Sequence, residues 1–524
     1  MEKVLLYLGV SFLIQHVSGA KVFVYNPHFA HSHFNFLGKL ADILQEDGHN
    51  VTVFIPELHI TASTVSKNAS ILVHRWKKNR DTLFAKPDHQ KLIWGTGIEA
   101  IDFVTFTEDL LTDLDKVCDT ILSDSELLSS LRKEKFDFGL LEPVDNCGFG
   151  LFKALGIDNY AIETPMAVSG IIASSHGLSG RSFIQFPQDL DNHPDLTFLQ
   201  RLENFFHPIL FRIFNNHGGI GVRAIKSHVD PDFDSSEAKG NARVVFVNSE
   251  EHIDFPRPIS HKFVYIGGIT VDSTRKSLPS EYEPIFNSTS KGVVLVSFGS
   301  LALSKDMPTD FKNAFVSLFQ NFPEINFIWK YEDFSDTIAD HLPNVFKFKW
   351  IDQKSILSHP KLLAFVSHGG MNSVLEAVHS GIPLLAVPLF GDQHRNVKML
   401  EFRNTAIVIE KSRVSPSSLS NAVGKLMDPK IGYRVRAQKI AAIIRSKPLS
   451  ARERFTKYFN HIVDHRNEPD FFEIKERKFN FIRFYNLDLY SFIGFCSVSF
   501  TYVIYSVLKI IKITPALRSK NKVQ

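Results

Sequence analysis

Short apolar runs recur along the chain and are separated by segments long enough for helices. The first repeat has apolar strands at Val22–Asn26 and Val51–Ile55, with a helical pattern over Phe34–Gln45 between them that ends at Gly48. Further runs follow at Phe136–Leu141, Val244–Val247, Val293–Ser297, Asn326–Trp329, Leu362–Ser367 and Pro383–Val387. Continuous apolar strands that alternate with helices predict an α/β protein with parallel sheets covered on both faces.

The length of the chain predicts more than one such sheet, because 524 residues exceed what one hydrophobic core accommodates. We predict domains at residues 21–280 and 281–440, then packing helices and a juxtamembrane segment at 441–488. The polar, proline-rich interval Phe255–Pro284 is expected to connect the two domains. The 59 basic and 56 acidic residues give a net charge of +3, so we expect no nucleic-acid partner.

The two ends of the chain predict a membrane protein. Residues 1–20 combine an early lysine, an apolar stretch and the small residues Ser18-Gly19-Ala20, which predicts a signal peptide cleaved after Ala20. Leu489–Leu508 contains no charged residue and is long enough to cross a bilayer as one helix. Residues 509–524 carry basic but no acidic side chains, which predicts a cytosolic tail and a lumenal bulk.

Further features point to the endoplasmic reticulum. Lys520 and Lys522 resemble the di-lysine signal that retrieves membrane proteins to this compartment. Three glycosylation sequons are compatible with a lumenal chain; they begin at Asn50, Asn68 and Asn287. Cys118 and Cys147 could pair in an oxidising compartment, although three cysteines form no disulfide framework. We therefore predict a single-pass type I protein of the endoplasmic reticulum membrane, with its two domains in the lumen.

A strand, a glycine turn and a helix predict an anion site at His368-Gly369-Gly370. Glycine lets backbone approach a ligand closely, and the first N–H groups of a helix favour a bound phosphate. Asn372 and Glu376 are spaced i, i+4 on the following helix and share one face. The amide would lie near the anion, and the carboxylate one turn deeper would suit ribose hydroxyls.

At this point the segment Trp350–Gln393 resembles the signature of the UDP-glycosyltransferases, of the UDP-glucuronosyltransferase type. The similarity extends to Phe255-Pro256-Arg257-Pro258, to Ser297-Phe298-Gly299-Ser300 and to both ends of the chain. It implies a GT-B fold, in which two Rossmann-like parallel-sheet domains face a cleft, followed by one C-terminal transmembrane helix. One departure is Asp352, where the family usually has proline, and it puts the geometry of that loop in question.

The resemblance also implies roles for individual residues. Trp350 would stack on uracil, and Gln353 with Glu376 would hold the uridine. Asp392 and Gln393 would contact hydroxyls of the donor sugar. Arg257 would lie near the diphosphate or a sugar carboxylate. The diphosphate would be held by Ser300, His368, Gly370 and Asn372.

In a sugar transfer of this kind, the acceptor molecule that receives the sugar must lose a proton. A histidine is suited to take up that proton near neutral pH. His28, His31 and His33 all follow the first strand, and His33 is our choice because its surroundings are similar to the family segment that carries the catalytic histidine. A carboxylate should orient the imidazole. The similarity assigns this role to Glu142, a glutamate in place of the family's aspartate, and Asp145 stays an alternative.

We therefore predict inverting transfer of a sugar, glucuronate first, from a UDP-sugar to a small lipophilic acceptor. The alternatives are a UDP-glucose-dependent enzyme and a non-catalytic membrane-anchored binding protein on the same fold. We expect no cofactor and no metal. Asp113 and Asp115 form an Asp-x-Asp pattern of the kind that can bind a metal ion, but the helical spacing of nearby apolar residues places both aspartates on a solvated face. An oligomer is left open. We expect the acceptor pocket to be formed by residues 60–131 and 166–225.

Overall fold

The computed structural model describes residues 19–28, 31–57, 68–75, 87–95, 112–178, 197–200, 202, 219–271, 277–289 and 291–520. Most of the predicted signal peptide lies outside these residues, as do Lys522 and much of the predicted acceptor region. The asparagines of all three sequons are described, and each is exposed to solvent.

The N-terminal domain is built on a seven-stranded parallel sheet. Its strand order is β3-β2-β1-β4-β5-β6-β7. The strands are β1 (Lys21–Tyr25), β2 (Asn50–Glu57), β3 (Ser70–Arg75), β4 (Phe138–Leu141), β5 (Tyr160–Thr164), β6 (Val245–Val247) and β7 (Phe263–Tyr265). The helices are α1 (His31–Glu46), α2 (Pro87–Trp94), α3 (Ser125–Lys133), α4 (Cys147–Leu155), α5 (Gly170–Ser175), α6 (Val222–His228) and α7 (Ser235–Gly240), with a further helical stretch over 112–123.

The C-terminal domain has a six-stranded parallel sheet in the order β10-β9-β8-β11-β12-β13. Its strands are β8 (Val293–Ser297), β9 (Asn326–Lys330), β10 (Val345–Phe348), β11 (Leu362–Ser367), β12 (Leu384–Ala386) and β13 (Ala406–Val408). Its helices are α8 (Glu283–Asn287), α9 (Thr309–Asn321), α10 (Gln353–Leu357), α11 (Met371–Ser380), α12 (Gln393–Phe402), α13 (Pro416–Met427) and α14 (Tyr433–Arg445). Short 3-10 turns lie at Ser304–Asp306, Lys411–Arg413 and Lys475–Lys478.

The central strands of each sheet are buried on both faces, as the continuous apolar strands predicted. Along β4, Leu140 packs into the cluster beneath α1, whereas Leu141 packs into the cluster beneath α4 and α6. Alternate residues of a strand point to opposite faces, so each strand needs apolar side chains at consecutive positions. This explains why the runs in the sequence do not alternate with polar residues.

The connection between the domains differs in part from the prediction. The interval Phe255–Pro284 was expected to be a linker, but it contains β7, which is the edge strand of the N-terminal sheet. Three apolar residues are too short a run to distinguish from a loop by periodicity. The change from one sheet to the other occurs between Tyr265 and Val293, an interval that includes the predicted boundary at 280/281.

The last helices return to the N-terminal domain. Helix α15 (Ala451–Asp464) buries Phe455, Phe459 and Val463 in the same cluster as α1. A short helix, α16 (Phe481–Phe484), then leads into α17 (Leu487–Lys520). Its apolar part, Leu487–Ile511, has 25 residues and is unburied. At about 1.5 Å per residue it exceeds the roughly 30 Å of a hydrocarbon layer, which fits membrane anchoring.

Two features near residue 115 also bear on the predictions. Cys118 and Cys147 form a disulfide with a Cα–Cα distance of 5.5 Å. The expectation that both aspartates of the Asp-x-Asp pattern are solvated was wrong. Asp113 is buried and forms an ion pair with Lys116, and Asp115 accepts a hydrogen bond from the backbone N–H of Gly221. Gly221 is distant from Asp115 in the sequence, so periodicity could not reveal this contact.

Candidate active site

The carboxyl ends of the two sheets face each other, and the predicted residues other than Arg257 lie around the cleft between them. The carboxyl ends of parallel strands meet at one edge of a sheet, where α/β proteins bind ligands. Across the cleft, the Asn248 side chain donates to Asn372 Oδ1 at 3.1 Å. The His31 ring points its edge at the Trp350 ring, with centroids 6.5 Å apart.

His33 and Glu142 come together on the N-terminal side of this cleft. His33 lies in the first turn of α1, and the Asn26 side chain fixes the start of that helix by donating to the Phe34 carbonyl at 3.0 Å. Glu142 directly follows β4, the strand next to β1 in the sheet. His33 Nδ1 lies 2.7 Å from Glu142 Oε1, and the carboxylate is almost fully buried.

The charges around His33 favour its protonated form. Burial lowers the pKa of His33, but the charge and hydrogen bond of Glu142, with a further contribution from the charge of Asp392, raise the pKa overall. Asp392 belongs to the C-terminal domain, so both domains set the basicity of this imidazole. A histidine held by a buried carboxylate has the arrangement of a general base with its orienting partner.

Asp145, the alternative partner, lies away from His33. Its Oδ2 accepts a hydrogen bond from the Tyr25 hydroxyl at 2.7 Å, and its Oδ1 accepts one from the Cys147 N–H at 2.9 Å. Burial raises the pKa of Asp145 to about 6, although both hydrogen bonds oppose the shift. The side chain therefore organises the turn between β4 and α4, and the contact with the imidazole belongs to Glu142.

A second buried carboxyl group, Glu163, lies beside the dyad and was not identified from the sequence. The parallel register pairs Leu141 with Ile162, and one further residue along each strand places Glu142 next to Glu163. Glu163 is fully buried, and neither of its oxygens has a hydrogen-bond partner in the part of the chain that the structure describes. Burial and the charge of Glu142 raise the pKa of Glu163 well above its ordinary value. An acidic residue at the end of an apolar strand was the available signal.

The glycine turn lies at the end of β11 on the other side of the cleft. Gly370 is the N-cap of α11 and supplies no side chain to cap the first-turn N–H groups of the helix. The His368 ring fills the space between this turn and the loop after β8. A Cβ on Gly299, whose φ is +79°, would lie 2.7 Å from that ring. Burial, with the charge of Lys330, lowers the pKa of His368 to about 4, so the ring is neutral near pH 7.

The residues predicted to hold uridine are also gathered here. Gln353 Nε2 donates to Glu376 Oε2 at 2.6 Å, so the amide and carboxylate predicted to share the ribose already contact each other. Burial raises the pKa of Glu376, while the Gln353 hydrogen bond opposes the shift. The Trp350 side chain is 65% exposed, which leaves the indole available to a base.

Asp352, the departure from the family pattern, begins α10. It is the N-cap of this helix, and its carboxylate accepts hydrogen bonds from the backbone N–H and the hydroxyl of Ser355, at 3.3 and 2.7 Å. Aspartate is among the best N-cap residues, whereas proline at this position could not accept these bonds. The change therefore provides a cap directly before Gln353 and leaves the contact between Gln353 and Glu376 intact.

Asp392 and Gln393 begin α12, close to the dyad. Asp392 Oδ2 accepts a hydrogen bond from Asn396 at 2.7 Å, and burial raises the pKa of Asp392. Gln393 Oε1 accepts hydrogen bonds from the N–H groups of Leu389 and Phe390, at 2.9 and 3.1 Å. The Gln393 oxygen thus holds the preceding loop in place, which sequence similarity did not indicate.

The two remaining predicted residues, Ser300 and Arg257, lie in different parts of the molecule. Ser300 lies in the partly exposed loop after β8, near the His368 turn. Arg257 instead lines a separate cavity of about 450 Å³, together with Asp254, Tyr265 and Arg454. None of the other predicted donor residues lines this cavity, and the structure does not bring Arg257 to them.

The loop that carries Ser300 is held by a helix from the other domain. Gln90 of α2 donates to the Leu301 carbonyl at 2.8 Å and accepts from the Leu303 N–H at 3.0 Å. Trp94 of the same helix is buried in the C-terminal core and donates to the Leu303 carbonyl. The sequence of α2 did not indicate that this helix holds the loop with Ser300. The contact arises only in the tertiary structure, which brings α2 to the C-terminal domain.

Comparison of the chain with solved structures supports the same architecture. A UDP-glucosyltransferase from Polygonum tinctorium, in a complex with 3,4-dichloroaniline, superposes with a TM-score of 0.58 at 16% identity and covers 85% of this chain and 99% of its own. A protein named LpCGTa, in complex with UDP, has a TM-score of 0.52, also at 16% identity, and covers 85% of this chain and 99% of its own. These similarities establish the fold, a GT-B arrangement of two parallel-sheet domains.

Sequence comparison identifies the family. The chain is 27% identical to a putative UDP-glucuronosyltransferase, ugt-50, of Caenorhabditis elegans over 502 residues, which covers 93% of this chain and 94% of that protein. It is 30% identical to human UDP-glucuronosyltransferase 3A1, with 82% of each chain covered. The model of the family described as UDP-glucoronosyl and UDP-glucosyl transferase matches residues 20–522. The chain therefore belongs to the UDP-glucuronosyl and UDP-glucosyl transferase family of glycosyltransferase enzymes.

Proposed function

We propose that this enzyme transfers a sugar from a UDP-sugar to a hydroxyl group of a small lipophilic acceptor, with inversion at the anomeric carbon. The observation that carries the proposal is the contact between His33 Nδ1 and Glu142 Oε1, which lies opposite the glycine turn of α11. A base on one wall of the cleft and an anion-binding helix start on the other are the two parts that such a transfer requires.

In the proposed step, His33 Nε2 takes the proton of the acceptor hydroxyl as the oxygen attacks the anomeric carbon. Glu142 holds the Nδ1 proton and balances the positive charge that the imidazole acquires. The bond between the anomeric carbon and the diphosphate breaks on the opposite face of the sugar. General-base assistance of this kind contributes on the order of 10²–10⁴-fold to the rate.

The leaving diphosphate gains negative charge, which the helix start at Gly370 and Asn372 would stabilise. Trp350 would stack on the uracil, and the Gln353–Glu376 pair would hold the ribose. Ser300 and His368 would contact the diphosphate, and Asp392 the donor sugar. In this proposal no metal ion takes part.

For the donor sugar we propose glucuronate, which is the sugar that the names of the curated relatives give. A second candidate, glucose, is favoured by one observation. Arg257, the residue predicted to meet a sugar carboxylate, lies in a separate cavity, whereas Glu142 and Asp392 flank the base. Equal concentrations of UDP-glucuronate and UDP-glucose, tested with one phenol, distinguish the two donors.

We further propose that the catalytic domains lie in the lumen of the endoplasmic reticulum. The basic, acid-free tail after the apolar helix supports this orientation. The disulfide between Cys118 and Cys147 also supports it, because disulfides persist in oxidising compartments. Lys520 and Lys522 would then be cytosolic, where retrieval signals are read.

The test uses the full-length enzyme with the variant His33→Ala. This variant should lose transfer to weakly acidic alcohols by at least about 100-fold, since the base is missing. It should keep its affinity for UDP, and a strongly acidic phenol, already ionised in the assay, should lose much less activity. His341→Ala, at an exposed histidine of the C-terminal domain, is the matched control.

Two results would contradict the proposal. Full activity of His33→Ala with weakly acidic alcohols would remove His33 from the mechanism. Absence of transfer and of UDP-sugar hydrolysis in the wild-type protein, with UDP still bound, would favour the alternative of a non-catalytic binding protein.

A further inference from the structure

The segment between the last packing helix and the transmembrane helix exposes an unusual number of large apolar side chains. This segment, residues 466–486, is named the strap below. The exposed fraction of the residue is 80% for Phe471, 69% for Phe481, 55% for Ile482 and 42% for Tyr485. Large exposed apolar side chains that lie close together mark a surface that another apolar body covers.

The strap is fixed to the N-terminal domain by polar contacts. Asp470 forms a 2.6 Å ion pair with Lys262, which is itself buried at the start of β7. Arg243, just before β6, donates to the Glu468 carbonyl at 2.8 Å. These contacts fix the first part of the strap and leave the aromatic side chains on its outer side.

Arg477 provides a second point of attachment. Its guanidinium is paired with Glu473 at 2.6 Å and donates to the Asn241 side chain, directly after α7. The strap passes so close to the end of α5 that a Cβ on Gly177 would lie 3.0 Å from the Arg477 backbone nitrogen. The outer aromatic residues therefore have a defined orientation relative to the domain that carries His33.

The apolar surface continues directly into the transmembrane helix. Ile482 and Tyr485 precede Leu487, the first residue of the 25-residue apolar stretch, by a few positions. Exposed Lys475, Lys478 and Arg483 lie among the aromatic residues. Aromatic rings and long basic side chains at the end of a membrane span are the composition of a membrane–water interface.

We propose that the strap lies in the membrane interface and docks the N-terminal domain onto the bilayer surface. Phe471, Phe481, Ile482 and Tyr485 enter the boundary between lipid head groups and acyl chains, and the basic side chains reach the phosphates. The bilayer is the occupant that the structure favours, because a helix that leaves residue 486 directly into the membrane holds the preceding residues at its surface.

The test measures membrane depth with nitroxide spin labels on the full-length protein in phosphatidylcholine nanodiscs. Cys496 is the free cysteine and lies in the apolar helix, so its label is the reference for the bilayer interior. In a Cys496→Ser background, labels are placed by Phe471→Cys and Phe481→Cys. Phe334→Cys is the control, because Phe334 is 54% exposed in a loop of the C-terminal domain.

Labels at 471 and 481 are expected to collide several-fold more with oxygen, relative to a water-soluble nickel chelate, than the label at 334. The proposal would be overturned if the labels at 471 and 481 collided with the chelate as often as the control label at 334, while the label on Cys496 stayed protected from the chelate. Dipolar broadening at 481 that disappears on dilution with unlabelled protein would overturn it too, because a second copy would then cover this face.

Discussion

The charges that surround His33 decide the pH range in which it can act as a base. Only its neutral form accepts a proton, so transfer to weakly acidic acceptors should fall as the pH drops through the pKa of His33. Glu142 raises that pKa and Asp392 adds to the effect. We expect Glu142→Gln to move the acidic limb of the kcat/KM profile to lower pH, by on the order of one unit, and to lower kcat.

Asp392→Asn should move the same limb in the same direction by less, since its charge is the smaller contribution. Profiles of kcat/KM against pH for the three proteins, at saturating UDP-sugar, measure both shifts. A limb that stays in place in Glu142→Gln would mean that the ion pair does not set the basicity of His33.

Glu163 should make stability depend on pH. Its pKa in the folded state is raised above the unfolded value. Its contribution to stability is therefore fully present below the unfolded pKa, about 4.3, and is lost as the pH rises toward the folded pKa. We expect Glu163→Gln, which keeps the shape and cannot ionise, to be relatively more stable than wild type as the pH increases from 5 to 8.

Thermal unfolding across this pH range, in wild type and Glu163→Gln, measures the effect. Glu324→Gln at an exposed position is the control and should follow wild type. Parallel curves for wild type and Glu163→Gln would show that Glu163 stays ionised in the folded protein.

Among the secondary-structure elements, the short helix α10 depends on its cap. Asp352 satisfies the first turn of a helix whose next residue, Gln353, contacts Glu376. Asp352→Ala should lower the free energy of unfolding by about 0.5–2 kcal/mol and weaken UDP binding, whereas Asp352→Asn should retain most of both because asparagine also caps helices. Urea unfolding and UDP titration provide the two readouts, and equal stability of the alanine and asparagine variants would contradict the capping role.

The disulfide joins two elements that surround the Asp145 turn. It links the helical stretch 112–123 to the first residue of α4 across a sequence separation of 29 residues. For a loop of this size the chain-entropy estimate of the stabilisation is about 3–4 kcal/mol. Cys118→Ser should lose about this free energy of unfolding under oxidising conditions.

In dithiothreitol the wild type should unfold as the Cys118→Ser variant does, and Cys496→Ser should behave as wild type in both conditions. Denaturant unfolding with and without reductant makes the comparison. Stability that reductant leaves unaltered, in a protein shown by mass spectrometry to be reduced, would mean that the bond adds nothing.

For the whole molecule the prediction concerns topology. In sealed microsomes, protease added outside should remove only residues after about Lys509, because the proposed orientation places the bulk of the chain in the lumen. Immunoblots with antibodies to each end follow the digestion, and detergent should make the bulk domain accessible. Digestion of the bulk domain in intact vesicles would mean that the orientation is the opposite of the one proposed.

The retrieval motif is tested by a separate experiment. Replacement of Lys520 and Lys522 by serine should let the protein leave the endoplasmic reticulum.

Much of the architecture follows from the local sequence. The βαβ start, β8 and β11 were predicted because each is a continuous apolar run bounded by turn residues. The glycine turn and the helix that follows it were predicted in the same way. The residues expected to bind the nucleotide came from the resemblance to the family signature. Five strands, β3, β5, β7, β10 and β13, were not predicted from the sequence. β7 and β13 have three residues each, and such a short run cannot be distinguished from a loop by periodicity.

The sequence by itself determined the two α/β units, the long apolar C-terminal helix and the family, because periodicity, apolar length and motif spacing are properties of contiguous residues. The tertiary structure decided that Glu142 contacts His33 while Asp145 contacts Tyr25, since the two acids are only three positions apart and only the path of the turn distinguishes them. It also decided the burial of Glu163 and the position of Arg257 in a separate cavity. These outcomes depend on contacts across the sheet and the cleft between segments that are distant in the sequence. No pattern of contiguous residues encodes such contacts.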